Sequence, residues 1–126
     1  MNTKGNENIG HSESELLIAD SKFPVDVCHV TIAKASTAGT LKRGTVLEAV
    51  DTTGVCSVLA GTAGSTASYI LAEDVELSTT GTVTAGAYQS GKFVRNALIV
   101  ADNYAMTAAD ERALRDAGIY LENAMV

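Results

Sequence analysis

The amino-acid sequence predicts a mainly β (α+β) fold, a small β-barrel or sandwich-like domain with one short C-terminal helix and an extended N-terminal arm. Short apolar stretches recur at spacings of about 8–12 residues with glycine-containing turns between them, which is typical of small all-β domains. Only one segment, near the C-terminus, has the end signals of a helix. The length of 126 residues provides for one domain. We therefore predict a flexible arm at residues 1–24 and a β-rich domain at residues 25–126.

Alternation of apolar and polar residues predicts the first strand of the domain. Cys28, Val30 and Ile32 alternate with His29 and Thr31, so the two sets are expected on opposite faces of a sheet. Runs of small residues at 33–39 and 61–68 are expected to form loops. Further strands are predicted at 45–50, 55–59, 69–72, 74–77, 82–85 and 119–121.

The stretch from residue 83 to residue 99 contains the most specific pattern in the chain, Tyr-x-Ser-Gly-x-Phe-x-Arg. Its defined members are Tyr88, Ser90, Gly91, Phe93 and Arg95. Residues 89–92 have the composition of a tight turn, because glycine readily adopts positive φ. We therefore predict a structural hairpin with the two aromatic residues on either side of the turn.

One short helix is predicted between Thr107 and Gly118. Thr107 is a favourable N-cap, and Asp110 three residues later forms an acidic variant of the capping box. Gly118 stands where a left-handed residue commonly ends a helix. Apart from alanines, Leu114 is the apolar residue of this segment, so we expect a helix that covers one end of the sheet.

The N-terminal arm combines a polar sequence with one apolar patch. Residues 1–15 cannot bury enough apolar surface to offset the entropy lost on ordering. The apolar patch of the arm consists of Leu16, Leu17, Ile18, Phe23 and Pro24. Such a patch can dock either on its own domain or on a partner, and the composition is compatible with both.

Charge and composition exclude several classes of partner. The formal net charge is −6, which argues against general nucleic-acid binding because that needs a cationic face. No stretch reaches the roughly 18 consecutive apolar residues of a membrane-spanning helix. The N-terminus lacks the apolar region of a signal peptide, so synthesis and assembly in the cytosol are expected.

The cysteines and histidines do not form a recognisable reactive or metal-binding pattern. The chain has only two cysteines, Cys28 and Cys56, and both lie in strand-like segments. This favours buried thiols over a disulfide framework. Cys28 and His29 are neighbours on a predicted strand, so their side chains should point to opposite faces. A pairing of Cys56 with His29 stays open, but nothing singles it out. We predict no catalytic residue and no metal ligand.

Two further segments resemble binding motifs only superficially. The glycine-containing segment 61–65 lacks the Lys-Ser/Thr ending and the following helix of a phosphate-binding loop. The acidic residues Glu73, Asp74 and Glu76 alternate with hydrophobic ones, which favours a solvated strand face over a cation site. We therefore expect no cofactor and no small-molecule substrate.

Several segments, taken in order, resemble the head decoration (capsid-stabilising) proteins of tailed bacteriophages, the family typified by the lambda head decoration protein. No single segment is specific, and their order and spacing over residues 16–124 carry the resemblance. The segments are 17–19 with 23–25, 41–47, 69–75, 88–95 and 109–119.

The resemblance implies a non-enzymatic virion protein that binds the expanded phage head at threefold and quasi-threefold positions and stabilises it. The implied partners are the major capsid protein and two further copies in a homotrimer, and the implied location is the outer surface of the capsid after assembly in the host cytoplasm. The resemblance assigns capsid binding to the arm and its apolar patch. The Tyr88–Arg95 hairpin is then a structural element near a possible trimer contact.

Two other functions compete with this interpretation. A virion surface fibre or host-binding module would need an exposed aromatic or charged recognition patch, and aromatic residues are only 5% of the chain. A biotin- or lipoyl-carrier-like β-domain would need a modified lysine at a hairpin tip. Lys92 is the one candidate, and no Met-Lys-Met or Asp-Lys sequence surrounds it.

Overall fold

The computed structural model describes residues 17–19 and 25–123, and within them eight strands and one α-helix. The strands are β1 (Asp26–Ile32), β2 (Thr40–Leu41), β3 (Val46–Val50), β4 (Cys56–Val58), β5 (Ser65–Leu71), β6 (Val75–Glu76), β7 (Val83–Val94) and β8 (Ile119–Glu122). A 3₁₀ turn at Arg95–Ala97 follows β7, and the helix α1 spans Ala108–Ala117.

Five strands close into a barrel in the order β1-β4-β3-β5-β7, and β7 pairs back onto β1. The β1–β4 pair is parallel and the other four pairs are antiparallel. β8 extends the sheet beyond the barrel by pairing in parallel with the last four residues of β7. β2 and β6 form a separate two-stranded ribbon. The predicted mainly β fold, a small barrel or sandwich-like domain with one short helix, is confirmed, and it is a closed barrel.

Two hydrophobic clusters lie on opposite faces of the barrel wall. Neighbours in one strand, such as Val46 and Leu47 or Ile70 and Leu71, belong to different clusters because side chains alternate along a strand. The interior cluster takes residues from all five barrel strands: Val30, Ile32, Leu47, Cys56, Leu71, Ala85 and Ala87. Several of these side chains are small, as a narrow barrel requires.

The outer cluster lies between the β3-β5-β7 wall and the elements that cover it. The wall contributes Val46, Ala67, Ile70, Tyr88 and Phe93. The cover contributes Leu17, Leu59, Leu114 and Ile119. Helix α1, strand β8 and the N-terminal segment are therefore held on the barrel by one shared core.

The predicted hairpin at residues 88–95 is wrong, because these residues lie within the 12-residue strand β7 and the following 3₁₀ turn. Residues 83–90 pair with β1, and residues 91–94 pair with β8, so the strand changes partner where the turn was expected. Gly91 adopts a φ of 141°, and a Cβ there would lie 3.0 Å from the Phe93 ring. The glycine thus bends a continuous strand and makes room for an aromatic ring, instead of reversing the chain.

The small-residue run at 61–68 is a loop only in its first half. β5 begins at Ser65, which pairs with Val50 of β3, and Ala67 is 3% exposed. Cross-strand pairing with β3 outweighs the weak strand preference of serine and alanine here.

Helix α1 has the predicted end signals. The Thr107 hydroxyl accepts a hydrogen bond from the Asp110 amide at 3.1 Å, and the Asp110 carboxylate accepts from the Thr107 amide at 2.9 Å. Burial alone raises the pKa of Asp110, but hydrogen bonds from Thr107 and from the Tyr104 hydroxyl outweigh burial and lower it below its usual value. Gly118 ends the helix with a φ of 108°, and the buried Leu114 fixes the helix on the outer cluster.

Candidate functional site

The second half of β7 lies between the two ends of the described chain. On one side, Phe93 forms an antiparallel bridge with Ile18, and the Ala19 amide donates to the Lys92 carbonyl at 2.9 Å. On the other side, Phe93 pairs in parallel with Leu121 of β8. Segment 17–19 and the C-terminal strand therefore flank the same four residues.

Leu17 is part of the core of the domain. Its side chain is 2% exposed and belongs to the outer cluster together with Phe93. A Cβ at position 44 would lie 3.6 Å from Leu17 Cδ1, and Gly44 has a φ of 97°. Of the two docking modes that the sequence left open, this segment of the arm docks on its own domain.

The remaining members of the apolar patch divide into two groups. Ile18 is partly buried against the outer cluster and keeps part of its side chain exposed. Leu16, Phe23 and Pro24 lie outside the described residues.

The direction of segment 17–19 places Leu17 near the C-terminal end of β7. Because the segment runs antiparallel to β7, its N-terminal end points to the C-terminal end of that strand. β8 ends at the same place, where Glu122 pairs with Val94. The two ends of the described domain thus meet at one pole of the molecule.

Arg95 ties three elements together at this pole. Its Nε donates to Glu111 Oε2 at 3.1 Å and its Nη2 to Glu111 Oε1 at 2.9 Å, which is a bidentate pair with helix α1. Its Nη1 donates to Asn123 Oδ1 at 2.6 Å. The hydrogen bond to Glu111 raises the pKa of Arg95 further above its ordinary value. Arg95 therefore holds α1, the end of β7 and the end of β8 in one arrangement.

The other residues of the Tyr-x-Ser-Gly-x-Phe-x-Arg pattern are mainly structural. Tyr88 is 7% exposed, its ring lies 5.2 Å from that of Phe93, and its hydroxyl accepts a hydrogen bond from the Arg43 guanidinium. Ser90 is half-buried and lines a shallow groove. The residues of this pattern therefore pack the outer cluster and form one ion pair, between Arg95 and Glu111.

Grooves of two sizes are lined entirely by described residues. The larger, of about 460 Å³, lies where β5 and β7 diverge, and there Gln89 donates to the Asp26 carboxylate. The smaller, of about 250 Å³, is lined by apolar residues of β1, β2 and β4 together with Lys34.

The two cysteines pack in the interior cluster, and Cys28 is partly buried against it. Cys28 and Cys56 are free, and burial raises the pKa of the Cys56 thiol to about 11. His29 is exposed on β1. Across residues 17–19 and 25–123, no group of three His, Cys, Asp or Glu side chains is placed to hold a metal ion. In the same residues, no helix is long and apolar enough to cross a membrane.

The fold and these contacts place the protein in the class of small closed β-barrels that carry a strand-paired N-terminal segment. A family model described as bacteriophage lambda head decoration protein D matches residues 8–119 of the chain. The chain therefore belongs to the phage head decoration protein family. Membership implies a structural, non-enzymatic role in a phage capsid, binding to the capsid and a location on the virion capsid. No protein of known, curated function matches the chain.

Sequence reasoning identified the family and the apolar patch but missed two contacts of the site. The anchoring of Leu17 beneath Gly44 depends on residues far apart in the chain, and no local pattern marks it. Buried Glu48 was also missed, although a glutamate between Leu47 and Ala49 in an apolar strand is a signal that its carboxylate has an internal partner.

Proposed function

We propose that this protein is a capsid decoration (cement) protein that binds the outer surface of the expanded phage head at threefold and quasi-threefold positions. It binds the major capsid protein as a homotrimer and stabilises the shell, after assembly in the host cytoplasm. The observation that carries the proposal is the family match over residues 8–119, that is, over most of the chain.

The arm, residues 1–24, is the proposed capsid-binding element, and residues 25–126 form the proposed decoration domain. The β-bridge between Ile18 and Phe93 attaches segment 17–19 of the arm to the domain, and it supports the capsid-binding proposal because it provides a fixed point from which the preceding residues reach the shell. Extended segments gain affinity by adding a strand to an exposed sheet edge of a partner. Leu17 has the role of an anchor on the barrel, and the rest of the apolar patch (Leu16, Ile18, Phe23 and Pro24) has the role of contacting the capsid.

The proposed trimer contact concerns only the accessible part of the β7 pattern. Tyr88, Gly91 and Phe93 are buried inside one domain and cannot reach a second copy. Ser90 and Arg95 keep exposed surface. A trimer presents three arms to the shell, and linked arms raise the overall affinity through effective concentration.

The test separates the arm from its anchor. A full-length variant carries a Gly-Ser sequence in place of residues 2–16, so the proposed capsid contact Leu16 is removed while Leu17 and its core contacts remain. Binding is measured by co-sedimentation with expanded heads that lack the decoration protein. We expect a thermal midpoint equal to that of the wild type and a loss of at least about tenfold in affinity, which corresponds to 1.4 kcal/mol.

A deletion of residues 1–24 serves as the comparison, because it removes the arm together with the Leu17 anchor. We expect this deletion to lose both stability and binding. Head binding by the Gly-Ser variant as tight as that of the wild type would show that the arm before Leu17 does not bind the capsid.

A further inference from the structure

Glu48 on β3 is a buried residue whose carboxylate is bound inside the domain. Its side chain is 2% exposed, and its Oε1 accepts hydrogen bonds from three consecutive backbone amides. These are the amides of Ala60 at 3.1 Å, Gly61 at 3.1 Å and Thr62 at 3.2 Å. Removing a carboxylate from water is costly unless it is hydrogen-bonded, and bonds to an ionised acceptor are among the strongest in proteins. The three amides supply that compensation.

The backbone of the loop is shaped for this purpose. Gly61 adopts a φ of 73°, which side-chain-bearing residues rarely adopt. Successive amides that converge on one point form a concave anion-binding nest. The nest of residues 60–62 is therefore complete without any external anion, because the barrel itself delivers the carboxylate.

The same loop contacts the segment that leads into helix α1. A Cβ at Gly61 would lie 2.7 Å from Tyr104 Cε1, so the ring lies directly against the loop backbone. The Tyr104 hydroxyl donates to the Asp110 carboxylate, which also caps the helix through the Thr107 amide. A continuous chain of contacts thus runs from Glu48 through the nest and Tyr104 to the first turn of α1.

We infer that residues 60–62 form a carboxylate-binding site whose natural occupant is Glu48, and that filling this site holds Tyr104 and helix α1 in place on the barrel. The ligand class is a small monocarboxylate. This role concerns the folded domain and does not depend on how the protein binds a shell.

Glu48→Ala tests the binding site directly. Alanine retains Cβ, so the atoms removed are one methylene and the carboxylate, which acetate matches in size and charge. We expect the variant to have a lower thermal midpoint than the wild type, and sodium acetate to raise that midpoint saturably by several degrees. Acetate should leave the wild type unchanged relative to sodium chloride at equal ionic strength.

A matched control uses a glutamate with an exposed side chain. Glu76 on β6 is exposed, so Glu76→Ala should show no acetate-specific stabilisation. Equal effects of acetate on Glu48→Ala, Glu76→Ala and the wild type would overturn the inference, because they would be a general salt effect.

Glu48→Gln provides a second test should the alanine variant not fold. The glutamine retains the volume and one acceptor oxygen but loses the charge. We expect hydrogen exchange at the three nest amides and in the first turns of α1 to accelerate at least tenfold, with the β1–β7 amides unchanged. Unchanged exchange at both the nest and the helix would also overturn the inference.

Discussion

Replacing Leu17 with alanine tests whether the end of the arm belongs to the folded core. The side chain is 2% exposed and lies in the outer cluster with Phe93 and Leu114. Truncating a buried leucine to alanine costs about 2–5 kcal/mol. Segment 17–19 can also undock as a unit, which limits the cost, so we expect a loss of about 2–3 kcal/mol in the free energy of unfolding.

Urea and thermal unfolding, both followed by circular dichroism, measure this loss. For a domain of this size each kcal/mol shifts the thermal midpoint by about 4 °C, so Leu17→Ala should melt about 8–12 °C below the wild type. Val27→Ala is the control, because Val27 is 52% exposed on β1, and its effect should stay within about 0.5 kcal/mol. A Leu17→Ala effect as small as that of the control would refute the burial of Leu17 and would make residues 1–24 an independent arm.

Three further predictions concern the barrel, the helix and the thiols. Gly91→Ala should destabilise the protein by about 1–3 kcal/mol in urea unfolding, because a side chain is strained at its φ of 141° and would meet an aromatic ring. Gly39→Ala, where an added Cβ meets open space, should change stability by less than about 0.5 kcal/mol. Equal effects of the two substitutions would contradict the requirement for glycine at position 91. The pKa of Asp110 is lowered on folding, so its ionised form stabilises the protein above the unfolded-state pKa near 3.8, and this contribution disappears as the pH falls through the folded-state pKa. The urea midpoint of the wild type should therefore fall more steeply than that of Asp110→Asn as the solution is acidified below about pH 4; parallel curves would contradict the assignment. Burial raises the pKa of the Cys56 thiol to about 11, so at pH 8 a thiol reagent should leave it unmodified in the native protein and react with it only on unfolding. Intact mass measures the labelling, in a Cys28→Ser background that leaves Cys56 as the one thiol. Rapid labelling of the native protein would show that Cys56 is accessible.

The features that the sequence predicted correctly are those with local causes. The capping box of Thr107 and Asp110, and the left-handed Gly118, each depend on residues within one or two turns of the helix. The alternation of Val30 and Ile32 with His29 and Thr31 likewise follows from the geometry of one strand. The number and spacing of such strands predicted a small β-barrel or sandwich, and the long-range pairing of β7 with β1 closes the barrel.

The hairpin prediction failed because its outcome depends on distant partners. Positive φ at Gly91 is compatible with a turn or with a bent strand, and the residues around it do not decide between the two. Pairing of Tyr88 with Val27 and of Gly91 with Ile119 decides it, and these partners are separated by many residues in the sequence. Local turn propensity was therefore overridden by long-range strand pairing.

Prediction of the candidate site from the sequence was limited in the same way, because contacts between distant residues decide it. The composition of the arm indicated an apolar patch that docks, but only the fold shows Leu17 beneath Gly44 on its own barrel. The segment at 61–65 lacks the sequence of a phosphate loop. Its neighbouring amides nevertheless form an anion nest, which the barrel fills with Glu48.

Electron cryomicroscopy of expanded phage heads, with and without added protein, tests capsid decoration most directly. With the full-length chain, we expect trimeric density of this domain at the threefold and quasi-threefold positions on the outer surface, with the pole formed by segment 17–19 and the end of β8 facing the shell. Heads incubated with the Gly-Ser variant of residues 2–16 should lack that density. Density absent from these positions, or present to the same extent with the variant, would contradict decoration through the N-terminal arm.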